Sequence, residues 1–348
     1  MSSKTKLTSL IERFASYALS LCLIGVMSTQ AFGWGDKGHR IVARIAARNL
    51  TDQARDVISD LIRGDPFIET CVERDIPTRK FADRFACLAT WADKAREDRP
   101  YTGEWHFVDI PRNTDQYVVG RDCLMSNQGD CVLNAITRFA FILANPQTAD
   151  HPKAEEQAVR AEALKFIIHF IGDMHQPLHA ATDTEDQEAI ASGTATDRGG
   201  NLKFVTWLGK AMNDFGDNWQ LHAVWDTGII EASTKDEVAF ANSLAGTLSD
   251  SEKAFTKISP PGTKPNWNDS LMKTLVQWAE DSHKLARQQA YGQLGPQDMN
   301  DVATDKKGHK FHRYHLTDAY LKANRPVIEQ QLKLAGIRLA RVLNEAFR

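Results

Sequence analysis

HFIGDMHQPLH, residues 169–179, is the stretch on which the reading of this chain turns. It closes an apolar run that begins near Glu155, and it sets His169 and Asp173 four residues apart, so both side chains leave one face of a helix. Pro177 ends or bends that helix, which lets His179 swing toward the same point. His175 sits two residues from Asp173 on a different helical face and reads as a core or supporting residue. Imidazole and carboxylate in apolar surroundings need a partner, because buried charge without one is costly.

The same chemistry recurs along the chain. LHAVWD (221–226) repeats the four-residue spacing with His222 and Asp226, TWADKAR (90–96) holds Asp93, and WHFVDI (105–110) holds His106. His39 lies in WGDKGHRIVARIA (34–46). One histidine on an apolar face is usually a hydrogen-bonded core residue, and one H-x-x-x-D is usually a helix ion pair. Two such pairs, a proline turn and the WAD segment together point to shared ligands instead. Imidazole and carboxylate without thiolate suit zinc in a catalytic setting. Eight ligand-type residues exceed the need of one ion, and paired metals are the usual device for phosphoryl displacement. His151, His283, His309, His312 and His315 carry no such pattern and read as ordinary polar residues.

Long amphipathic stretches dominate the rest, so the fold expected is all-α: a single multi-helix domain with a minor short β element. Helices are expected at Gly38–Asn49, Asp52–Arg63, Lys80–Arg96, Leu133–Ala144, Glu155–Met174, Lys235–Lys257, Leu271–Ala290 and Ala319–Phe347, the last kinked at Pro326. Short strands are expected at Trp105–Ile110 and Leu202–Leu208, and surface loops at Thr182–Gly200 and Ser259–Trp267. No internal repeat and no shift of composition marks a second domain.

The first 33 residues differ in character from the remainder of the chain. Lys4, Lys6 and Arg13 precede an apolar run, Tyr17–Met27, too short to anchor in a bilayer, and Ala31 and Gly33 supply small residues at −3 and −1. This is a secretory signal peptide, 1–33, with cleavage expected before Trp34 and a mature domain at 34–348, exported to the periplasm or extracellular space. Three cations and one anion leave with it, which moves the net charge from −3 to −5. A mildly acidic protein cannot attract a polyanion through lysine and arginine; a local positive source such as bound metal is needed. Four cysteines remain, Cys71, Cys87, Cys123 and Cys131, an even number that suggests two disulfides. Three connectivities are open, of which Cys71 with Cys87 and Cys123 with Cys131 close the shortest loops. Asn49 and Asn268 stand in N-x-[ST] sequons.

In order and spacing, WGDKGHRIVARIA, WADKAR, HFVD, HFIGDMHQPLH, DRGGN, LHAVWD and a closing GIRLARVLN resemble the zinc-dependent, single-strand-specific nucleases of fungi, plants and bacteria, the group that includes mung bean nuclease. The resemblance spans nearly the whole mature chain. It implies three zinc ions per chain: one on Asp93, His106 and His169, one on His179, His222 and Asp226, and one on His39 and the free amino nitrogen and carbonyl oxygen of Trp34. Asp173 bridges the first and third. An α-amino group titrates near pH 8, so a metal readily deprotonates it once cleavage has exposed it.

Carried over in the same way, Arg96 stabilises charge on the phosphate, Phe107 stacks on a base and Asp109 bonds its edge, while Asn201 in DRGGN lies near the cleft as a substrate-binding residue. The implied activity is endonucleolytic hydrolysis of single-stranded DNA and RNA to 5′-phosphate products by a zinc-bound hydroxide, with 3′-nucleotidase activity. Single-stranded nucleic acid and nucleotides are the expected partners, with a monomeric state and no stable membrane association after signal removal. Two rivals stand beside it. A zinc phospholipase C would share the superfamily fold and act on a lipid phosphodiester; an exported zinc-buffering protein would need the ligands but neither Arg96 nor a base pocket.

Overall fold

The computed structural model describes residues 34–74, 80–123, 131–146, 153–255 and 270–348. The expected leader at 1–33, His151, the 259–267 loop and the Asn268 sequon lie outside them.

Helices α1 (Asp36–Ala47), α2 (Asp52–Leu61), α3 (Pro66–Arg74), α4 (Phe81–Leu88) and α5 (Trp91–Asp98) open the described chain. Thr51 caps α2 by accepting from the Ala54 N–H. Lys80–Arg96, expected as one helix, is two, because i→i−3 bonds from Ala89 to Ala86 and from Thr90 to Cys87 close the first. Helix α3 was not expected, although Asp65 accepting from the Phe67 N–H and Pro66 at the first position are start signals.

The Trp105–Ile110 strand is not formed. A 3₁₀ turn, Pro100–His106, runs into extended chain that makes a single bridge, Pro111 with Thr182, in place of a ladder. Helix α6 (Val132–Ala144) then packs on α7 (Lys153–Asp173), whose C-terminal half is buried all round. Phe139 stacks on Phe166 at 4.6 Å and Phe166 on Phe170 at 5.2 Å, which makes α7 the centre of the bundle.

After a 3₁₀ turn, Pro177–Ala180, come α8 (Gln187–Ala191) and strand β1 (Val205–Trp207), inside the expected Leu202–Leu208. Helix α9 (Leu221–Ala223) passes through a π-helical turn, Val224–Gly228, into α10 (Ile229–Ser233). The single helix expected at Lys235–Lys257 is instead α11 (Glu237–Gly246) and α12 (Asp250–Phe255). Ser249 and Glu252 form a reciprocal capping box that starts the second, with Ser249 N–H to Glu252 Oε2 at 2.8 Å and Glu252 N–H to Ser249 Oγ at 3.2 Å.

Helix α13 (Met272–Leu285) continues as π-helix to Tyr291, and strands β2 (Asp298–Thr304) and β3 (Lys310–Leu316) precede α14 (Asp318–Ala346). The sheet order is β1-β3-β2, β1 parallel to β3 and β2 antiparallel to it with a bulge between Asp298 and Val302. Helix α14 runs unbroken through Pro326, an exposed residue whose missing N–H falls on the solvent side. It packs along α1, where a Cβ on Gly336 would meet Ile45 Cγ2 at 2.5 Å, so only glycine lets the two helices approach. Asn344 clamps the turn after α1 by accepting from Thr51 N–H and donating to Asn49 O.

The fold is therefore mostly helical with a small sheet, as expected. The disulfides are Cys71–Cys87 and Cys123–Cys131, the two shortest loops.

Candidate metal centre

Seven segments each deliver side chains to one buried region. Helix α1 supplies His39, α5 supplies Asp93, the 3₁₀ turn before Phe107 supplies His106, and α7 supplies His169 and Asp173. His179 comes from the proline turn, His222 from α9 and Asp226 from the π-helical turn. None is more than 7% exposed.

Asp173 is the hub. Its Oδ1 stands 3.3 Å from His39 Nε2, and its Oδ2 lies 2.9 Å from His106 Nδ1 and 3.2 Å from His169 Nε2. Asp93 Oδ1 is 3.7 Å from His169 Nε2 and 3.8 Å from His106 Nδ1. In a second group His179 Nε2 and His222 Nε2 face each other at 3.1 Å, with Asp226 Oδ2 3.3 Å from His222 Nε2. Donor atoms fall within 4.8 Å of one another in three combinations: His39, Asp93 and His169; His106, His169 and Asp173; His179, His222 and Asp226.

Three carbonyls aim the rings. His169 Nδ1 donates to Ala89 O at 2.6 Å, His179 Nδ1 to His106 O at 2.8 Å and His222 Nδ1 to Gly199 O at 2.6 Å. A ring that spends Nδ1–H on a carbonyl presents the Nε2 lone pair inward, the outer-sphere arrangement of a metal-ligating histidine. The break between α4 and α5 thus serves the site, since it frees the Ala89 carbonyl.

Among themselves these groups satisfy only part of their charge. Burial works against a charged His169, but Asp173 and Asp93 outweigh it and lift the ring to about 9. Burial holds His106 down to about 4 and lowers His39 as well. Asp173 is pulled well below the carboxylate range by His169, His106 and His39 despite its burial, whereas burial drives Asp226 well above it. Both nitrogens of His39, Nε2 of His106 and Oδ1 of Asp173 lack a well-directed hydrogen bond. Buried donors left this way normally have a partner, and a set made of imidazoles and carboxylates fits divalent cations.

The remaining sequence-predicted residues surround this region. Trp34 is fully buried, and Gly35 N–H donates to the Asp226 carbonyl at 2.9 Å, which brings the chain's first described residues against the second donor group. Arg96 Nη1 reaches Asp93 Oδ1 at 3.2 Å, so it is an ordered, mostly buried arginine rather than a solvated one. Phe107 is extended and half-buried; His106 and Val108 point inward, and Phe107 and Asp109 share the outer face.

Asp109 carries exposed surface yet is closely surrounded by protein atoms. Burial, then Glu104, Asp197 and Asp122, raise its carboxyl to about 7. Asn201 is buried and donates its amide to Arg198 O at 2.8 Å, inside its own loop.

Some contributors escaped the sequence reading. Arg198, Gly199 and Gly200 all adopt positive φ, and a Cβ on Gly199 would lie 2.7 Å from Leu178 O. The DRGGN glycine is thus required both by its dihedral and by the close approach that aims His222. The loop is anchored through Asp197, which accepts from Asp183 N–H and from Tyr291 Oη. Asp183, Asp186 and Asp197 are close enough together to cage a cation, and the Lys203 ammonium fills that place, 3.1, 2.5 and 4.0 Å from them. A cavity of about 360 Å³ opens beside it, lined by Arg112, Tyr291 and Tyr314 among others.

The histidines read as ordinary are paired elsewhere: His175 with Ile171 O and Arg338, His283 with Ala180 O and Thr114 O, and His309, His312 and His315 with Asp305, Glu188 and Asp298.

Known proteins resemble this chain over most of its length. A family model described as S1/P1 Nuclease matches residues 34–348. Endonuclease 2 of Arabidopsis thaliana is 28% identical over 317 residues, covering 90% of this chain and 91% of the relative. Nuclease S1 of Aspergillus oryzae is 28% identical, covering 89% and 90%. Nuclease P1 of Penicillium citrinum is 25% identical, covering 90% and 97%.

Proposed function

The chain belongs to the S1/P1 nuclease family, and from that premise we propose that it is an exported, zinc-dependent endonuclease that hydrolyses single-stranded DNA and RNA to 5′-phosphate products, with 3′-nucleotidase activity. The observation that carries this reading is the convergence of eight buried imidazole and carboxylate residues, several with donor atoms that lack a well-directed hydrogen bond. Phospholipase chemistry is set aside, because these relatives of comparable length carry nuclease names. Zinc buffering alone leaves the Arg96 contact and the Phe107–Asp109 face without a purpose.

Asp93, His106 and His169 would hold one ion, His179, His222 and Asp226 a second, and His39 with the Trp34 main chain a third, Asp173 serving the first and third. The 2.9–3.3 Å approaches of Asp173 to His106, His169 and His39 support its place between the first and third, while His39 also falls within one donor group with Asp93 and His169. Zinc bound there supplies a Lewis acid and brings the pKa of water toward neutrality. Three divalent ions against the carboxylates of Asp93, Asp173 and Asp226 also leave the positive focus that an acidic protein needs to attract a polyanion.

The chain's own residues bind and orient. Arg96, held beside Asp93 at the edge of the buried group, is placed to meet a phosphate oxygen. Phe107 offers a face for an unpaired base and Asp109 an acceptor for its edge; stacking tolerates any base, and a paired, stacked duplex withholds it. Ligation by Trp34 requires the cut before it, in keeping with the family match beginning at that residue. Two disulfides suit an oxidising compartment. Among the described residues no helix is long and apolar enough to cross a membrane, and a monomer is the state we assign.

The test uses protein purified after export. N-terminal analysis should find tryptophan first, elemental analysis about three zinc ions per chain, and denatured DNA should be degraded far faster than duplex or phosphatidylcholine vesicles. Chelation should abolish the activity and zinc should restore it. Full activity after exhaustive chelation, or release from the vesicles at a matching rate, would overturn the proposal.

A further inference from the structure

Gln176 lies in the turn between α7 and the proline turn, fully buried. Its Oε1 accepts from the Leu178 N–H at 2.6 Å, and its Nε2 donates to Asp226 Oδ1 at 2.5 Å. A backbone N–H can only donate, so the amide oxygen must face Leu178 and the NH₂ must face Asp226. One side chain thereby ties Asp226 to the turn that carries His179, across fifty positions of sequence.

The consequence lies in which oxygen is used. Asp226 Oδ1 is engaged by Gln176, while Oδ2 points to His222 Nε2 at 3.3 Å, and the two imidazole nitrogens of that group face each other at 3.1 Å. We infer that Gln176 is a positioning residue of the His179, His222 and Asp226 group, holding Asp226 by one oxygen so that the other is aimed at the facing nitrogens of His179 and His222. An acidic ligand fixed in this way keeps its geometry whether or not an ion is bound. Glutamine is suited to this task. Glutamate would oppose one carboxylate with another, and leucine would fill the space with nothing to donate.

The inference rests on the proposed zinc centre, and its test separates the two. Unaltered protein, Gln176→Leu and Gln176→Glu are stripped of metal, and zinc affinity is measured ion by ion against a competing chelator, with melting temperatures recorded for stripped and loaded forms. Loss of an outer-sphere partner typically weakens metal binding 10–100-fold, so one of the three ions should be held about 10–100-fold more weakly in both variants. Loaded protein should then lose more melting temperature than stripped protein. Unchanged affinities for all ions, with equal melting losses in both forms, would reduce Gln176 to a structural residue and overturn the inference. Unaltered protein that takes up no zinc would instead refute the metal reading itself. Should neither variant fold, side-chain amide exchange in the unaltered protein decides: slow exchange for the Gln176 NH₂ supports the inference, and exchange at the rate of a free amide overturns it.

Discussion

Asp93 and Arg96 leave helix α5 three residues apart, one turned toward the buried histidines and the other 3.2 Å from it. Removing a donor aimed at developing charge costs about 10²–10³ in rate. Arg96→Ala should therefore lower kcat on denatured DNA by about 10²–10³-fold while zinc content stays unchanged, and Arg96→Lys should recover only part, since an ammonium lacks the planar fork. A near-normal rate in Arg96→Ala protein would remove the residue from the mechanism. The eight donors were legible in the sequence because each interrupts an apolar stretch with a side chain that cannot stay there alone. Gln176 and Lys203 were not, because an amide or ammonium in a polar segment signals nothing until the fold brings Asp226 or three aspartates beside it.

The elements show where periodicity is informative and where it fails. It found α1, α2, α6, α7 and α14 to within a few residues, because each buries an apolar face over several turns. It merged α4 with α5 and α11 with α12, because a break of one turn hardly disturbs an apolar period, and only the Ser249–Glu252 box marks the second break chemically. Strand β2 is largely exposed and polar, so it has no apolar alternation to read. The DRGGN loop behaves differently: its shape is forced by Gly199, at φ +62° and 2.7 Å from a carbonyl by its virtual Cβ. Gly199→Ala should destabilise the fold by about 1–3 kcal/mol and loosen the orientation of His222. Denaturant melts of the stripped protein should show the loss, and zinc titration should show the ion near His222 weakened. An alanine variant as stable as the parent, with full zinc affinity, would contradict the strain.

At the scale of the molecule, one buried carboxyl joins distant parts. Asp197 connects the DRGGN loop to Asp183 and to Tyr291 at the end of the α13 region. Burial, set against the ammonium of Lys203, raises it from 3.8 to about 6. A raised folded-state pKa means stability that is fully present below about pH 4 and lost as pH climbs through about 6, a change of about 3 kcal/mol for a shift of about two units. Metal-stripped protein should accordingly lose melting temperature over that interval, and Asp197→Asn should flatten this part of the profile. An unaltered slope in the asparagine variant would show that another group sets it.

The long contact between α1 and α14 has a further consequence. Helix α14 is synthesised after every other described element, and its Gly336 and Asn344 seat the helix that delivers His39. Loss of the last turns of α14 would take Asn344 away and leave the turn after α1 unclamped, so the C-terminal helix, remote in sequence, shares in fixing where His39 stands.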